Sequence, residues 1–307
     1  MQVYQRESTA VCWGAESTLE GGASTFYYVD GVLRTFEAPE IVNETEIKYY
    51  DNVWKPSVIQ KMRKNLEGRI EYYPYKGRLF QYALGVTDSG TDPETLTLYA
   101  GSGDFPSLEW RKEHRQPSST PLRTQYKGAM FTRMKWTIEG GNIFTVDADI
   151  KSSVAPGKLG SNTSITGNRY ALVPAYTSTV SVNPDSYTAV SAGILRAEIE
   201  LDNNPEVKHY VEDADGYPTA IHTKGRKITG RVSFNPQNTY VYDAILNNDT
   251  TDLTITVKRD SSNYCVIKAT DGTIKSSPHN VPEEGPVEGE VELEFLDLNI
   301  ELYGTFA

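Results

Sequence analysis

Acidic side chains that alternate with apolar ones are the feature of this 307-residue chain most able to do chemistry. Asp147-Ala148-Asp149 could bind a divalent cation, since carboxylate oxygens suit Mg²⁺ or Ca²⁺. The flanking Val146 and Ile150 continue a period of two, however, which is typical of a β-strand with one buried and one solvated face. We therefore favour a wet strand face over a metal site. The same alternation holds for two further acidic sets, which are Glu198, Glu200 and Asp202, and Glu290, Glu292 and Glu294.

Signatures of catalysis are missing from the sequence. The four histidines are isolated, and no cysteine pair accompanies them at zinc-ligand spacing. There is no Gly-x-Ser-x-Gly elbow, P-loop or dinucleotide fingerprint. Cys12 and Cys265 are expected to be free thiols in a reducing compartment. We predict a protein that is not an enzyme and has no catalytic residues, metal or cofactor.

Composition and charge narrow the class further. Hydrophobic residues make up 38% of the chain and the net charge is -11, whereas a protein that grips DNA normally carries positive charge against the phosphates. No apolar run is long enough to span a bilayer. The first residues, Met1 to Glu7, lack the apolar core of a signal peptide. We expect a protein without a membrane span that is made in a cytoplasm.

Similar blocks recur in the same order in the two halves of the chain, which indicates an internal duplication. The matched blocks are Glu46–Tyr50 with Glu206–Tyr210, Gly68–Pro74 with Gly230–Pro236, Leu79–Leu84 with Tyr240–Leu246, Leu108–Glu113 with Ile255–Asp260, and Ile143–Asp147 with Glu290–Glu294. Residues 151–178 are rich in Ser, Gly and Asn, as linkers are. We predict domains at 1–155 and 179–307 with a linker at 156–178.

Each half is predicted to be all-β with one short helix. Asp30-Gly31 suits a hairpin turn between the strands Tyr27–Val29 and Val32–Arg34. In the second half, Asn183-Pro184-Asp185 would turn the chain after Thr179–Val182. The helices are Leu79–Leu84 and Tyr240–Leu246, which Gly85 and Asn247 would close.

With this order of elements the chain resembles the tail tube (major tail) proteins of long-tailed, siphovirus-type viruses. The resemblance rests on Asn65–Gly85, Tyr126–Met130 and Ile138–Asp147, and covers most of residues 20–305. It implies two β-sandwich or barrel domains per chain in a closed ring of six domains, with rings that stack into a tube. Tubes inside contractile tails look similar, so the type of tail stays open.

The resemblance also implies partners. These are other copies of the chain, other tail proteins, and double-stranded DNA that passes through the bore without specific binding. The protein would lie in the virion tail after assembly in the host cytoplasm. Two domains per chain would make the ring a homotrimer with pseudo-sixfold symmetry. A hexamer in which one half of each chain only decorates the outside is the alternative.

Two sets of residues gain a possible role from this resemblance. The acidic faces could line the bore, where they would repel phosphates, or could be a solvated outer surface. A segment without a counterpart in the second half could reach a neighbouring chain or ring through Trp54, Lys55, Lys61, Arg63 and Lys64. The competing function is a carbohydrate-binding or adhesive β-module, in which Trp110 and Trp136 would stack on sugars.

Overall fold

The computed structural model describes residues 9–48, 58–86, 92–99, 105–114, 122–140, 143–154, 156–158, 164–166, 176–208, 220–223, 225–235, 240–276, 279–280 and 288–306. The all-β prediction is confirmed, because strands make up most of this part of the chain and its two helices are short. None of the described helices has the length and apolar character needed to cross a membrane.

The elements follow one another along the chain as a series of strands with two interruptions by helix. The strands are Thr9–Ala15 (β1), Phe26–Tyr28 (β2), Gly31–Lys48 (β3), Val58–Pro74 (β4), Glu94–Thr97 (β5), Leu108–His114 (β6), Leu122–Glu139 (β7), Ile143–Ser152 (β8), Gly157–Lys158 (β9), Ile165–Thr166 (β10), Thr177–Pro184 (β11), Ile194–Asp202 (β12), Pro205–Lys208 (β13), Ala220–Thr223 (β14), Lys227–Phe234 (β15), Thr251–Lys258 (β16), Tyr264–Ser276 (β17), His279–Asn280 (β18), Glu288–Phe295 (β19) and Asp297–Tyr303 (β20). The helices are Phe80–Leu84 (α1) and Tyr240–Leu246 (α2), and a 3₁₀ turn spans Gly304–Phe306.

One long antiparallel sheet runs through both halves of the chain. Its spatial order is β3, β4, β8, β7, β12, β15 and β19, followed by an eighth position that the end of β17 and then β18 occupy. The junction between the halves is the pair β7–β12, which is in register over seven residues. The first part of β7 leaves this sheet to pair with β6, and β6 pairs with β1.

A second sheet covers part of the long one. Its order is β11, β16, β17, β20 and β5. Residues 264–270 of β17 belong to this second sheet, whereas residues 273–276 pair with β19 in the long sheet. The edge strand β5 comes from the first half of the chain, so strands of both halves mix in this layer too.

The hydrophobic core lies on the face of the long sheet that carries the apolar members of each alternation. Trp136, Ile199 and Val232 are fully buried there, in the cluster that also contains Ile255 of the second sheet. Helix α1 packs on β7, with Phe80 edge-on to Trp136 at a ring-centroid distance of 5.7 Å. Burial of these large side chains drives the sheets together, and leaves the opposite face of the long sheet for polar residues.

Both helix predictions are confirmed, and α1 ends as expected at Gly85, whose φ of 79° lies in the left-handed region. Both hairpin predictions are wrong. Strand β2 pairs with β1 instead of β3, because the carbonyl of Asp30 accepts the backbone N–H groups of Tyr75 and Lys76 at 2.6 and 3.1 Å. Asp30-Gly31 therefore connects β2 to β3, and these two strands are not paired with each other.

In the second half, β11 pairs with β16, and β12 pairs with β7 and β15. Only a single bridge, Val182 to Val190, forms where the hairpin was expected. Long-range partners bury every second residue of these strands over much of their length, and that tertiary gain outweighs the local turn signal.

Candidate functional site

All eight acidic residues of the alternating segments lie on one face of the long sheet, opposite the core. Arg231, for example, sits between Glu292 on one side and Glu198 on the other, and directly paired residues of a sheet point to the same face. We call this surface the charged face. Its described charged side chains are Arg34, Glu37, Glu67, Arg69, Glu71, Arg133, Lys135, Glu139, Asp147, Asp149, Lys151, Arg196, Glu198, Glu200, Asp202, Lys227, Arg231, Lys275, Glu290, Glu292 and Glu294.

From β8 through β7, β12 and β15 to β19, mainly acidic strands alternate with mainly basic ones, which the acidic spacing alone did not indicate. Strand β15 presents Lys227 and Arg231 between the acidic strands β19 and β12, and β7 presents Arg133 and Lys135 between the acidic strands β12 and β8. A signal was present, since these basic residues also recur with a period of two. It could be found by searching for basic alternation as well as acidic.

Arg133 is the centre of the charge network. Its guanidinium donates to Asp149 at 2.6 Å, to Glu200 at 3.1 Å and to Asp147 at 3.2 Å. Hydrogen bonding to Asp149 raises the pKa of Arg133 further above its usual value. One side chain thereby joins β7 to strands on both of its sides, β8 and β12, across the junction of the two halves.

Asp147 is the most buried acid of the predicted set, with 7% of its surface exposed. Arg69 holds its two oxygens from the other side in a bidentate pair of 2.7 and 2.8 Å, and this contact raises the pKa of Arg69. The Asp147-Ala148-Asp149 carboxylates are thus both bonded to guanidinium groups. A cation would have to displace these bonds, so the geometry favours the strand-face interpretation over a metal site.

The network is more exposed toward β19. Arg231 contacts Glu290 at 2.9 Å and Glu292 at 2.6 Å, and its side chain is 54% exposed. Lys275 contacts Glu294 at 3.0 Å and lowers the pKa of that carboxyl by its hydrogen bond. Exposed pairs of this kind each contribute little to stability.

A groove of about 390 Å³ runs along the charged face between β7 and the end of β17. Its lining includes Lys135, Glu198, Glu200, Arg231 and Glu292. Ligand sites for small molecules are mostly apolar with a few polar groups, and this groove has the opposite composition. Its shape shows that the charged face is concave at this place, without marking a substrate pocket.

The segment predicted to reach a neighbouring chain or ring, which contains Trp54 to Lys64 and is called the arm here, lies only partly within the described residues. Trp54 and Lys55 lie outside the described residues. Lys61 and Lys64 lie on β4, where they pair with Thr45 and Asn43 of β3, and Arg63 is on the same stretch. This β3–β4 ladder continues to Lys48 and Val58, so the segment is a long hairpin.

The second half of the chain also carries a hairpin. Strands β13 and β14 lie between β12 and β15 along the chain and form a separate two-stranded sheet. Strand β13 contains the Glu206–Lys208 part of the matched block Glu206–Tyr210. Sequence comparison did not find this hairpin, because the residues after that block are not similar to those of the arm.

Three side chains considered in the sequence for chemistry or glycan stacking, His114, Trp110 and Trp136, lie within the described residues. No cluster of three or more metal-ligand side chains occurs among the described residues. His114 bonds to the Thr9 hydroxyl at 3.0 Å. Trp110 and Trp136 are fully buried, so neither can be the sugar platform considered above.

Comparison with known proteins agrees with this picture of a structural β-protein. No curated protein sequence matches the chain. A search of protein families matches residues 13–296 to the phage tail tube protein family. The match spans nearly all of the two sheets and the whole charged face, and the chain therefore belongs to the phage tail tube protein family.

Proposed function

We propose that three copies of this chain close into a ring of the phage tail tube, with the charged face on the bore through which double-stranded DNA passes. Family membership already gives the coarser part, which is a structural role in the virion tail and assembly with itself and with other tail proteins. The observation that carries the finer part is the long sheet, with a buried apolar face and an uncovered charged one.

The order of strand pairings supports two domains of one kind in each chain. In residues 9–152, β1 pairs with β6, β6 with β7, β7 with β8, β8 with β4, and β4 with β3. In residues 177–295 the same order holds for β11, β16, β17, β19, β15 and β12. Each half thus adds four strands to the long sheet, as a duplicated wall unit would.

The size of the bore favours three chains. Strands about 4.8 Å apart with a tilt of about 40° give a 24-stranded barrel a backbone radius of about 24 Å. After a side-chain layer of about 5 Å, the bore would be about 38 Å wide. Two chains, with 16 strands, would leave about 22 Å, which is hardly wider than a DNA duplex.

The charges on this face fit a bore through which DNA passes without being bound. Acidic side chains on the charged face outnumber basic ones by twelve to nine among the described residues named above, so the surface is weakly negative. Most of its basic groups are engaged by neighbouring carboxylates, as Arg133 and Arg69 are. DNA-binding proteins release counterions by pairing free Lys and Arg with phosphates, and a wall whose cations are mostly paired offers few such contacts.

Electron microscopy of the purified protein tests this function. We expect hollow tubes or rings, with threefold symmetry and the charged face toward the centre. Dispersed monomers over a wide range of concentrations, or rings with the charged face outside, would contradict the proposal.

A further inference from the structure

The two outer edges of the long sheet have no strand beside them in the described part of the chain. One is the side of β3 that faces away from β4, and the other is the side of β17 and β18 that faces away from β19. Open edges of this kind are templates for pairing with another chain. All neighbours in the sheet are antiparallel and the strands number eight, so the strands at its two edges run in opposite directions.

We propose that β3 of one chain pairs antiparallel with β17–β18 of the next, in the register that β12 and β7 use within one chain. This rests on the proposed function, because it specifies the contact that would close the ring. The internal junction β7–β12 is the template for this contact if β3 corresponds to β12 and β17–β18 corresponds to β7.

Two bulges set the first correspondence, which is that of β3 with β12. The first of three register shifts in β3 lies at Arg34, where Leu33 faces Tyr72, and β12 has its one described shift at Leu195, where Ile194 faces Phe234. Tyr72 and Phe234 each lie four residues after a glycine, Gly68 or Gly230. Bulges are local features that re-aim a strand, so their recurrence at one place fixes the alignment.

The partner strands carry a matching pair of bulges. Strand β7 shifts register at Thr132 and β17 shifts at Lys275, in both cases opposite the strand that pairs with the glycine. Ile150 faces Gly68 and Leu293 faces Gly230. These positions make Lys275 the counterpart of Thr132, and place β18 where the last part of β7 lies in the first half.

The register then follows pair by pair. Within the chain, Glu198 faces Thr137. Glu37 faces Arg69 as Glu198 faces Arg231, so Glu37 is the counterpart of Glu198. Thr137 pairs with β8 at the position where Asn280 pairs with Glu288 of β19. Glu37 of one chain should therefore face Asn280 of the next.

Disulfide trapping tests this pairing. Directly opposed residues of an antiparallel pair have Cα atoms about 4.5–5.5 Å apart, within the range a disulfide spans. We expect the double variant Glu37→Cys and Asn280→Cys to form covalent trimers on mild oxidation, with no larger product. The natural thiols, Cys12 and Cys265, are buried in the structure and do not compete.

Two control variants make the result specific. Glu37→Cys with His279→Cys is shifted by one residue, which turns the two thiols to opposite faces, and should cross-link at least ten-fold less. Glu198→Cys with Thr137→Cys spans the internal junction and should form a disulfide within one chain. The reduced double variants should form rings like the unaltered protein, which shows that they fold.

The outcomes test the register of the contact between chains separately from the formation of rings. Rings together with covalent trimers of the in-register variant support both. Rings that cross-link only in the shifted variant, or in neither, overturn the register and leave the ring proposal intact. If the unaltered protein forms no rings and the internal control still closes, both proposals fail.

Discussion

Asp30 should make the stability of the protein depend on pH in a direction opposite to that of most carboxylates. Burial raises the pKa of Asp30 to about 6 from its ordinary value of 3.8, although Arg78 lowers it in part. The residue is 3% exposed, and its Oδ2 atom has no hydrogen-bond partner in the described structure. The folded protein therefore binds the proton of this carboxyl more tightly than the unfolded chain does.

The sign follows from this difference in proton binding. Below pH 3.8 both states are protonated and the contribution of the group is fully present, whereas it is lost as the pH rises through about 6. Two pKa values about two units apart correspond to about 3 kcal/mol. The neutral variant Asp30→Asn keeps the size of the side chain and cannot titrate.

Urea unfolding at one fixed protein concentration, from pH 4 to pH 8, measures this effect. We expect the free energy of unfolding of the unaltered protein, minus that of Asp30→Asn, to fall by about 2.5 kcal/mol between pH 4 and pH 7, because a small part of the effect is already lost at pH 4. Other carboxylates cancel in the difference, because both proteins contain them. Parallel pH profiles of the two proteins would refute the reasoning.

Three further predictions concern the charged face and the core. Arg133→Ala should lower the free energy of unfolding by about 2 kcal/mol, since it leaves Asp149 and Glu200 without their charged donor while Asp147 keeps Arg69, whereas Arg231→Ala, at an exposed site, should cost less than about 1 kcal/mol; equal losses in urea unfolding would contradict this ranking. Changing Glu292 and Glu294 together to Lys should leave ring formation intact and slow genome release from assembled particles, and an unchanged release rate would argue against a bore position. Burial raises the pKa of Cys265, so its thiol should react with a thiol reagent only after unfolding, and rapid labelling of the native protein would show that β17 is misplaced.

The local periodicities of the sequence were enough for the fold class and for both helices. Alternation of two identifies β12 and β19, and Gly85 marks the end of α1, because these are properties of a single segment. The pairing of β2 with β1 could not be found in this way. Asp30-Gly31 is a good turn on its own, and only the contact with Tyr75 and Lys76, more than forty residues away, sends the chain elsewhere.

One matched block disagrees with the alignment of the two halves that the proposed duplication would use, in which Gly68 is placed at the position of Gly230. Ile143–Asp147 was matched to Glu290–Glu294, whereas the pairing with the two glycines places Ile150 at the position of Leu293. That is a shift of four residues. Strand patterns repeat every two residues, so a shift by two or four keeps apolar residues on the same face and goes unnoticed in sequence.

The charged face shows the same limit. The acids were located by their spacing, which predicted solvated strand faces. All eight lie on the face opposite the core, but Asp147 is only 7% exposed because guanidinium groups cover it. Their neutralisation by Arg69, Arg133 and Arg231 depends on which strands are neighbours. Those neighbours are distant in sequence, since β8 and β4 are separated by about seventy residues. Spacing alone predicted a strongly acidic surface. Only the strand order shows that the surface is weakly negative and that its charges are paired with one another.

The central claim is that each chain supplies two adjacent wall units and that three chains close the ring. A three-dimensional reconstruction of the purified tube by cryo-electron microscopy, refined without imposed symmetry, tests it most directly. We predict three chains per ring, 24 wall strands with eight from each chain, and Glu200, Asp147 and Glu292 facing the bore. Six chains per ring, or a wall built from one half of the chain with the other half outside, would contradict the account.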